Sequence, residues 1–180
     1  MTQSDIDGSS SSAIDPNARF TIFRHRDGRE PVESGVMTVE PMDPEQLPAI
    51  AEITAAGVAD GSDVRVVFNQ FGMSIVHVWF KGSYPLPPHS HDVDCAYYVI
   101  AGSLSLGAKV LGPGDGFFIP AGVTYTYRVG TEGVELIEFR KSQSFDFKSK
   151  ANPAFWKKAK AIVDENHENW KSASRPSAVP

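Results

Sequence analysis

Residues 87–102, PPHSHDVDCAYYVIAG, gather the groups best suited to chemistry in this chain. His89 and His91 stand one residue apart, just before a run of strand-forming residues. Residues i and i+2 of a β-strand project to the same face, so both imidazoles enter one space. Two imidazoles fixed in this way form half of a chelate, and a divalent ion needs at least one further donor. The competing reading is a pair of hydrogen-bonded histidines sharing an interior that holds no ion.

Elements that would position this pair can be read on both sides of it. From residue 64 the texture is β: DVRVVF, MSIVHVWF, CAYYVIAG, SLSL, AKVL, GFFIP, TYTYRV and VELIEFR are short runs rich in Val, Ile, Tyr and Phe. Turn residues separate them, at 69–72, 82–88, 102, 107, 112–116, 122 and 130–133. Many short strands with Gly/Pro turns indicate an antiparallel sandwich or barrel. Upstream, ARFTIF suggests a short strand around Phe20–Phe23 and SGVMTVEPM a second one. DPEQLPAIAEITAAGVADG reads as a helix, with Asp43 as N-cap, Pro44 at the first helical position and an end near Gly57–Gly61. Downstream, Phe155, Ala159, Ile162, Val163, Asn166 and Trp170 share one face of a helix over about 152–171, expected to cover the barrel's outer surface. Residues 1–17 and 173–180 are polar or loose and read as tails, leaving a single domain over 18–172.

Composition bounds the function. The 180 residues carry a net charge of -5 without a block of Lys or Arg, which argues against a nucleic-acid partner. A single cysteine, Cys95, rules out an internal disulfide and a Cys-rich zinc module. There is no apolar stretch of about 18 residues and no secretory signal at the start, so a cytoplasmic protein that does not enter a membrane is expected.

The central region resembles the cupin superfamily, whose barrels are double-sheet jelly rolls. The first cupin motif is matched by Gly82, by His89-Ser90-His91 one residue further on than the pattern asks, and by the closing Gly102. The second is matched by Gly114, Pro120 and Gly122 in GDGFFIPAGVTYTYRV. The resemblance spans about residues 74–140, with the motif-bearing core at about 64–140. It implies an all-β jelly-roll barrel with an N-terminal helical segment and a C-terminal flanking helix. It also implies a homodimer. Three positions depart from the pattern: Cys95 stands at the glutamate position, Tyr125 at the second-motif histidine and Val129 at the closing asparagine. Of the usual four metal ligands only His89 and His91 remain.

A metal site would therefore draw its third donor from Asp94 (or Asp92), from Tyr125 as a phenolate, or from Cys95 as a thiolate. Strict alternation turns both aspartates away from the histidines, so a carboxylate ligand needs a bend after His91. Cys95 can equally be a small buried hydrophobe, and Tyr125 a packing aromatic. By the parity of Cys95, Tyr97 points inward, and Trp79, Phe118 and His77 are further candidates for a pocket that would favour an apolar or aromatic substrate. The first functional expectation is a mononuclear metal enzyme with oxygenase-type chemistry, using iron(II) ahead of manganese, nickel or zinc, with Tyr125 and Cys95 as catalytic candidates. The second is a metal-free cupin that binds a small molecule. Isomerase or lyase chemistry would use the same parts.

Overall fold

In chain order the strands and helices are β1 (Met37–Val39), α1 (Leu47–Ala55), β2 (Ser62–Gln70), β3 (Met73–Phe80), β4 (His89–Ser90), β5 (Cys95–Leu106), β6 (Lys109–Leu111), β7 (Gly116–Ile119), β8 (Arg128–Arg140), β9 (Phe145–Ser149) and α2 (Pro153–Ser172). They come from a computed structural model that describes residues 15–178. The expected N-terminal tail lies mostly outside the described residues. Six strands form one sheet in the order β2-β3-β8-β5-β6, with β7 also pairing β5; three form a second, β1-β9-β4. The all-β core with helices at its flanks is as expected, but among the described residues its two sheets do not close into one continuous barrel.

Two expected turns are instead glycine bulges inside long strands. β5 runs through Gly102 and β8 through Gly133, with φ of +72° and +84°. A Cβ at Gly102 would meet the Gly133 carbonyl oxygen at 2.1 Å, and one at Gly133 would meet the Phe80 oxygen at 2.7 Å. Glycine is thus required here both for the left-handed backbone and for the close approach of neighbouring strands. The bulges bend the central β5–β8 pair without ending it, so the sheet curves around its inner face. That face carries Val76, Val78, Val99, Leu104, Val134 and Leu136, all almost fully buried. The other face leaves Tyr98, Phe118 and Phe139 exposed.

The N-terminal strand expected at Phe20–Phe23 is not formed; Phe20, Ile22 and Phe23 are exposed. β1 forms where SGVMTVEPM suggested it and pairs in parallel with β9, a strand in FDFKS that the sequence reading passed over. TYTYRV does not make a separate strand: Tyr125 makes a single bridge and β8 starts at Arg128. The first helix opens with a 3-10 turn at Pro44–Gln46, capped by the Asp43 side chain accepting from the Glu45 N–H. α2 is capped by Asn152, whose side chain accepts from the Phe155 N–H. Its buried residues Trp156, Ala159, Val163 and Trp170 pack with Ile53 of α1 into a second, smaller core. The helix thus lies mainly on other helical segments and not on the barrel surface. No helix among the described residues is long and apolar enough to cross a membrane.

The segment after α2 does not trail away as a loose tail. Arg175 donates to Glu135 Oε1 at 2.9 Å and pairs with Asp63, and the Ser177 N–H donates to Glu135 Oε2 at 3.0 Å. Burial works against the charge of Glu135, but the bonds from Ser177 and Arg175 outweigh it and hold the carboxyl below its usual pKa. Removing the guanidinium strands a buried carboxylate, so R175A is expected to lower stability by about 2–3 kcal/mol, toward the low end for broken buried pairs because Arg175 is partly exposed. Urea unfolding of the full chain measures this, and a variant as stable as wild type would show that the latch does nothing.

Candidate functional site

The inner end of the large sheet faces the small one across a cavity of about 270 Å³. Its wall is mostly apolar, with Val76, Val78, Phe80 and Met37 among the lining residues, and six polar side chains of note reach it: His89, His91, Tyr125, Tyr127, Glu138 and Arg140.

Local backbone pairing brings the first three together. The His89 N–H donates to the Tyr125 carbonyl at 3.0 Å and the Tyr125 N–H returns the bond to the His89 carbonyl at 3.0 Å. Directly opposed residues of an antiparallel pair project to the same side. The His89 and Tyr125 rings accordingly lie 4.4 Å apart between centroids, and the His89 and His91 rings 5.0 Å apart. Phe147 stacks on His89 at 4.8 Å and Phe145 meets His91 edge-on at 5.4 Å, fixing both imidazoles by packing.

Hydrogen bonding then fixes the tautomers. His89 Nδ1 lies 2.7 Å from the Pro87 carbonyl oxygen, and His91 Nδ1 bonds the Asp146 carbonyl oxygen. A carbonyl only accepts, so each Nδ1 carries the proton and each Nε2 is left as a lone pair. Burial lowers the pKa of His89 to about 4, against the opposing pull of the Pro87 bond. Burial and the nearby Arg140 charge lower that of His91. Both rings are neutral at pH 7.

Behind Tyr125, the Tyr97 hydroxyl hydrogen-bonds the Tyr125 hydroxyl, and the Tyr97 ring stacks on Phe117 at 4.4 Å. Burial raises both phenol pKa values, as does the charge of Glu138. Tyr97 points inward, as parity required, but stands behind Tyr125 and is not part of the cavity wall. Cys95 also points inward; it is 1% exposed, with its thiol pushed up to about 12 by burial first and by Glu138 second. It too stays behind the wall.

Five sequence candidates lie elsewhere. Asp94 is exposed and accepts from the Ala121 N–H at 2.8 Å, holding the loop after β7 and not approaching the histidines. Asp92 is exposed as well; its carboxylate Oδ1 accepts from the Asp146 N–H at 2.8 Å, and the Asp92 N–H donates to Asp146 Oδ1 at 2.7 Å. Phe118 is 58% exposed, because in β7 it is Phe117 that takes the inner face. His77 and Trp79 project from the outer face of β3: His77 packs against His25 and lies 3.5 Å from Glu135, and Trp79 lies under the cations of Lys81 and Arg175 at about 5 Å. In β3 the inward residues are Ser74, Val76, Val78 and Phe80.

The sequence reading missed Glu138 and Arg140. Both share the inward parity of Val134 and Leu136 in β8, which was the available signal. Arg140 Nη1 lies 2.7 Å from Glu138 Oε2, and the guanidinium sits 3.9 Å above the Phe145 ring.

The donors near His89 and His91 do not fit the metal site expected of the resemblance. No group of three or more His, Cys, Asp or Glu side chains among the described residues could hold an ion. Asp94 is turned out, the Cys95 thiol is held protonated, the Tyr125 phenol is kept neutral by burial, and Glu138 is engaged by Arg140.

Two outcomes follow from the buried groups. The unfolded chain takes up the proton that folded His89 refuses, so stability is full above the ordinary imidazole pKa of 6.5 and is lost as pH falls toward about 4. Wild type should lose about 2 kcal/mol more than H89Q between pH 7 and pH 4.5 in urea unfolding, on the order of 1.4 kcal/mol per pKa unit. Equal losses would remove His89 as the cause. Cys95 should resist a disulfide reagent such as DTNB in the native protein and react fully in urea; rapid native labelling would contradict its burial.

No curated protein matches this chain. Among solved structures it is similar to KdgF from Halomonas sp., at 20% identity and a TM-score of 0.40, over 52% of this chain and 84% of that one. It is similar to an RmlC-like cupin from Shewanella frigidimarina at 24% identity and a TM-score of 0.41, over 53% and 82%. It is also similar to the polyketide cyclase RemF from Streptomyces resistomycificus, at 16% identity and a TM-score of 0.46, over 63% and 83%. Residues 56–173, which hold His89, His91, Tyr125, Glu138 and Arg140, match the family model described as a domain of unknown function, DUF4437. With more than half of its length matched, the chain belongs to the DUF4437 family.

Proposed function

We propose that this protein binds a small, largely apolar organic molecule in the cavity between its sheets and moves a proton on it without a resident metal. The observation that carries this reading is the state of the two imidazoles. Each spends its Nδ1 proton on a backbone carbonyl, leaving an Nε2 acceptor for a ligand. Beside His89 stands the Tyr125 hydroxyl, a neutral phenol supported from behind by Tyr97. An acceptor and a donor set side by side at an apolar wall are the parts of general acid–base chemistry.

A carbonyl compound suits them. His89 Nε2 takes the proton from the carbon next to the carbonyl, while Tyr125 O–H donates to the oxygen as charge develops there. Return of the proton to the same or another carbon completes an exchange or an isomerisation. Lowered basicity makes His89 a mild base, so the reading asks for a substrate whose C–H bond is already activated. The largely apolar wall strengthens both interactions relative to water.

Phenylacetone is a neutral probe of suitable size. Its α-protons should exchange with deuterium oxide faster in the presence of wild-type protein, and H89A and Y125F should each reduce that acceleration about tenfold or more, as NMR reads directly. Metal content completes the test. After incubation with iron(II), manganese, nickel or zinc and desalting, the protein should hold well below one ion per chain. Near-stoichiometric metal that disappears in H89A would overturn this proposal and favour the metal enzyme; probe binding without exchange would reduce it to a binding protein.

A further inference from the structure

Arg140 carries more hydrogen-bonding capacity than the protein uses. Its side chain is 1% exposed, yet Nε and Nη2 have no acceptor among the described residues. Nη1 makes a close ion pair with Glu138, but its N–H groups are not aligned for a hydrogen bond. Phe145 covers one face of the guanidinium at 3.9 Å. What remains without an acceptor is the side-on edge formed by Nε–H and Nη2–H, two parallel donors in a fixed plane. Buried donors of a charged group are almost always satisfied, and an orphaned pair in a native interior asks for its partner.

The surroundings narrow what that partner is. Arg140 is the only Lys or Arg among the residues lining the cavity, and the rest of the wall is mainly apolar. Ser74, the cross-strand neighbour of Arg140, is also buried with an unpartnered hydroxyl. Two parallel N–H donors match the two oxygens of a carboxylate, the geometry in which arginine binds most strongly. The cavity volume of about 270 Å³ equals that of roughly nine waters at ~30 Å³ each, room for an aryl or alkyl body of modest size.

We infer that the cavity takes a small organic monocarboxylate, its carboxylate held side-on by Arg140 and its apolar body against the valines and aromatics of the wall. This rests on the cavity being the ligand site argued above and deepens that reading by naming the ligand class. Glu138 is then a competitor as well as a partner: it balances Arg140 when the site holds no ligand and repels the incoming anion.

Phenylacetate and 3-phenylpropionate, each against its primary amide, test the inference by calorimetry on the full chain at pH 7. Both acids should bind at least tenfold more tightly than their amides. E138Q should tighten the acids several-fold and leave the amides unchanged, a response that a purely structural role for the pair would not produce. R140M should abolish the preference, and because it leaves the partly buried Glu138 without a partner, the charge-balanced E138Q/R140M variant is measured alongside. Amides that bind as well as the acids, or a preference that survives loss of Arg140 in the folded double variant, would overturn the carboxylate assignment while leaving the cavity as a ligand site. Failure of acids and amides alike to bind would overturn both.

Discussion

The two backbone hydrogen bonds exchanged by His89 and Tyr125 hold the candidate site together. β4 belongs to the small sheet through its pairing with β9, and Tyr125 lies three residues before β8, in the middle of the large one. The bridge therefore ties the two sheets at the level of the cavity and sets an imidazole beside a phenol. The neighbouring groups are arranged around that tie: Phe147 and Phe145 pack on the imidazoles, and Tyr97 closes over Tyr125 from the far side. Because backbone bonds carry the alignment, it does not depend on a bound ion.

Electrostatics inside the cavity follow a consistent logic. Among the residues lining the cavity Arg140 is the only Lys or Arg, and it pairs with Glu138, while both imidazoles beside the bridge are neutral at pH 7. Burial drives the histidines toward their neutral forms and the phenols and thiol toward theirs. Such an interior tolerates the ion pair because each charge shields the other, although desolvation makes it a poor source of stability. The retained charge is better understood through what it can recognise than through what it stabilises.

Much of this was legible in the sequence, and the failures have physical causes. The H-x-H spacing put both imidazoles on one side, and the parity of β5 sent Cys95 and Tyr97 inward. Parity alone could not say which face of a strand apolar on both sides is the inner one, so His77 and Trp79 were assigned to the pocket when Val76 and Val78 occupy it. The same ambiguity exchanged Phe118 for Phe117. Gly102 and Gly133 read as turn punctuation because a glycine bulge and a glycine turn look alike in one dimension; the contact between β5 and β8 that requires them exists only in the fold. Glu138 and Arg140 sit in VELIEFR, where charged residues on an inward register run against the rule that buried positions are apolar. A site that violates such a rule is where a functional role is to be sought.

Tyr84 gives the molecule a mechanical property of its own. Its ring stacks on Phe80 at 4.7 Å on the cavity side and tilts against Trp170 at 6.0 Å on the helical side. One rigid aromatic plate is thus shared by two hydrophobic clusters that are otherwise built from different parts of the chain. Close-packed interiors transmit displacement instead of absorbing it. Repacking the end of α2 would press on the same plate that bounds the cavity, so the shape of that cavity is set partly by a helix that does not line it.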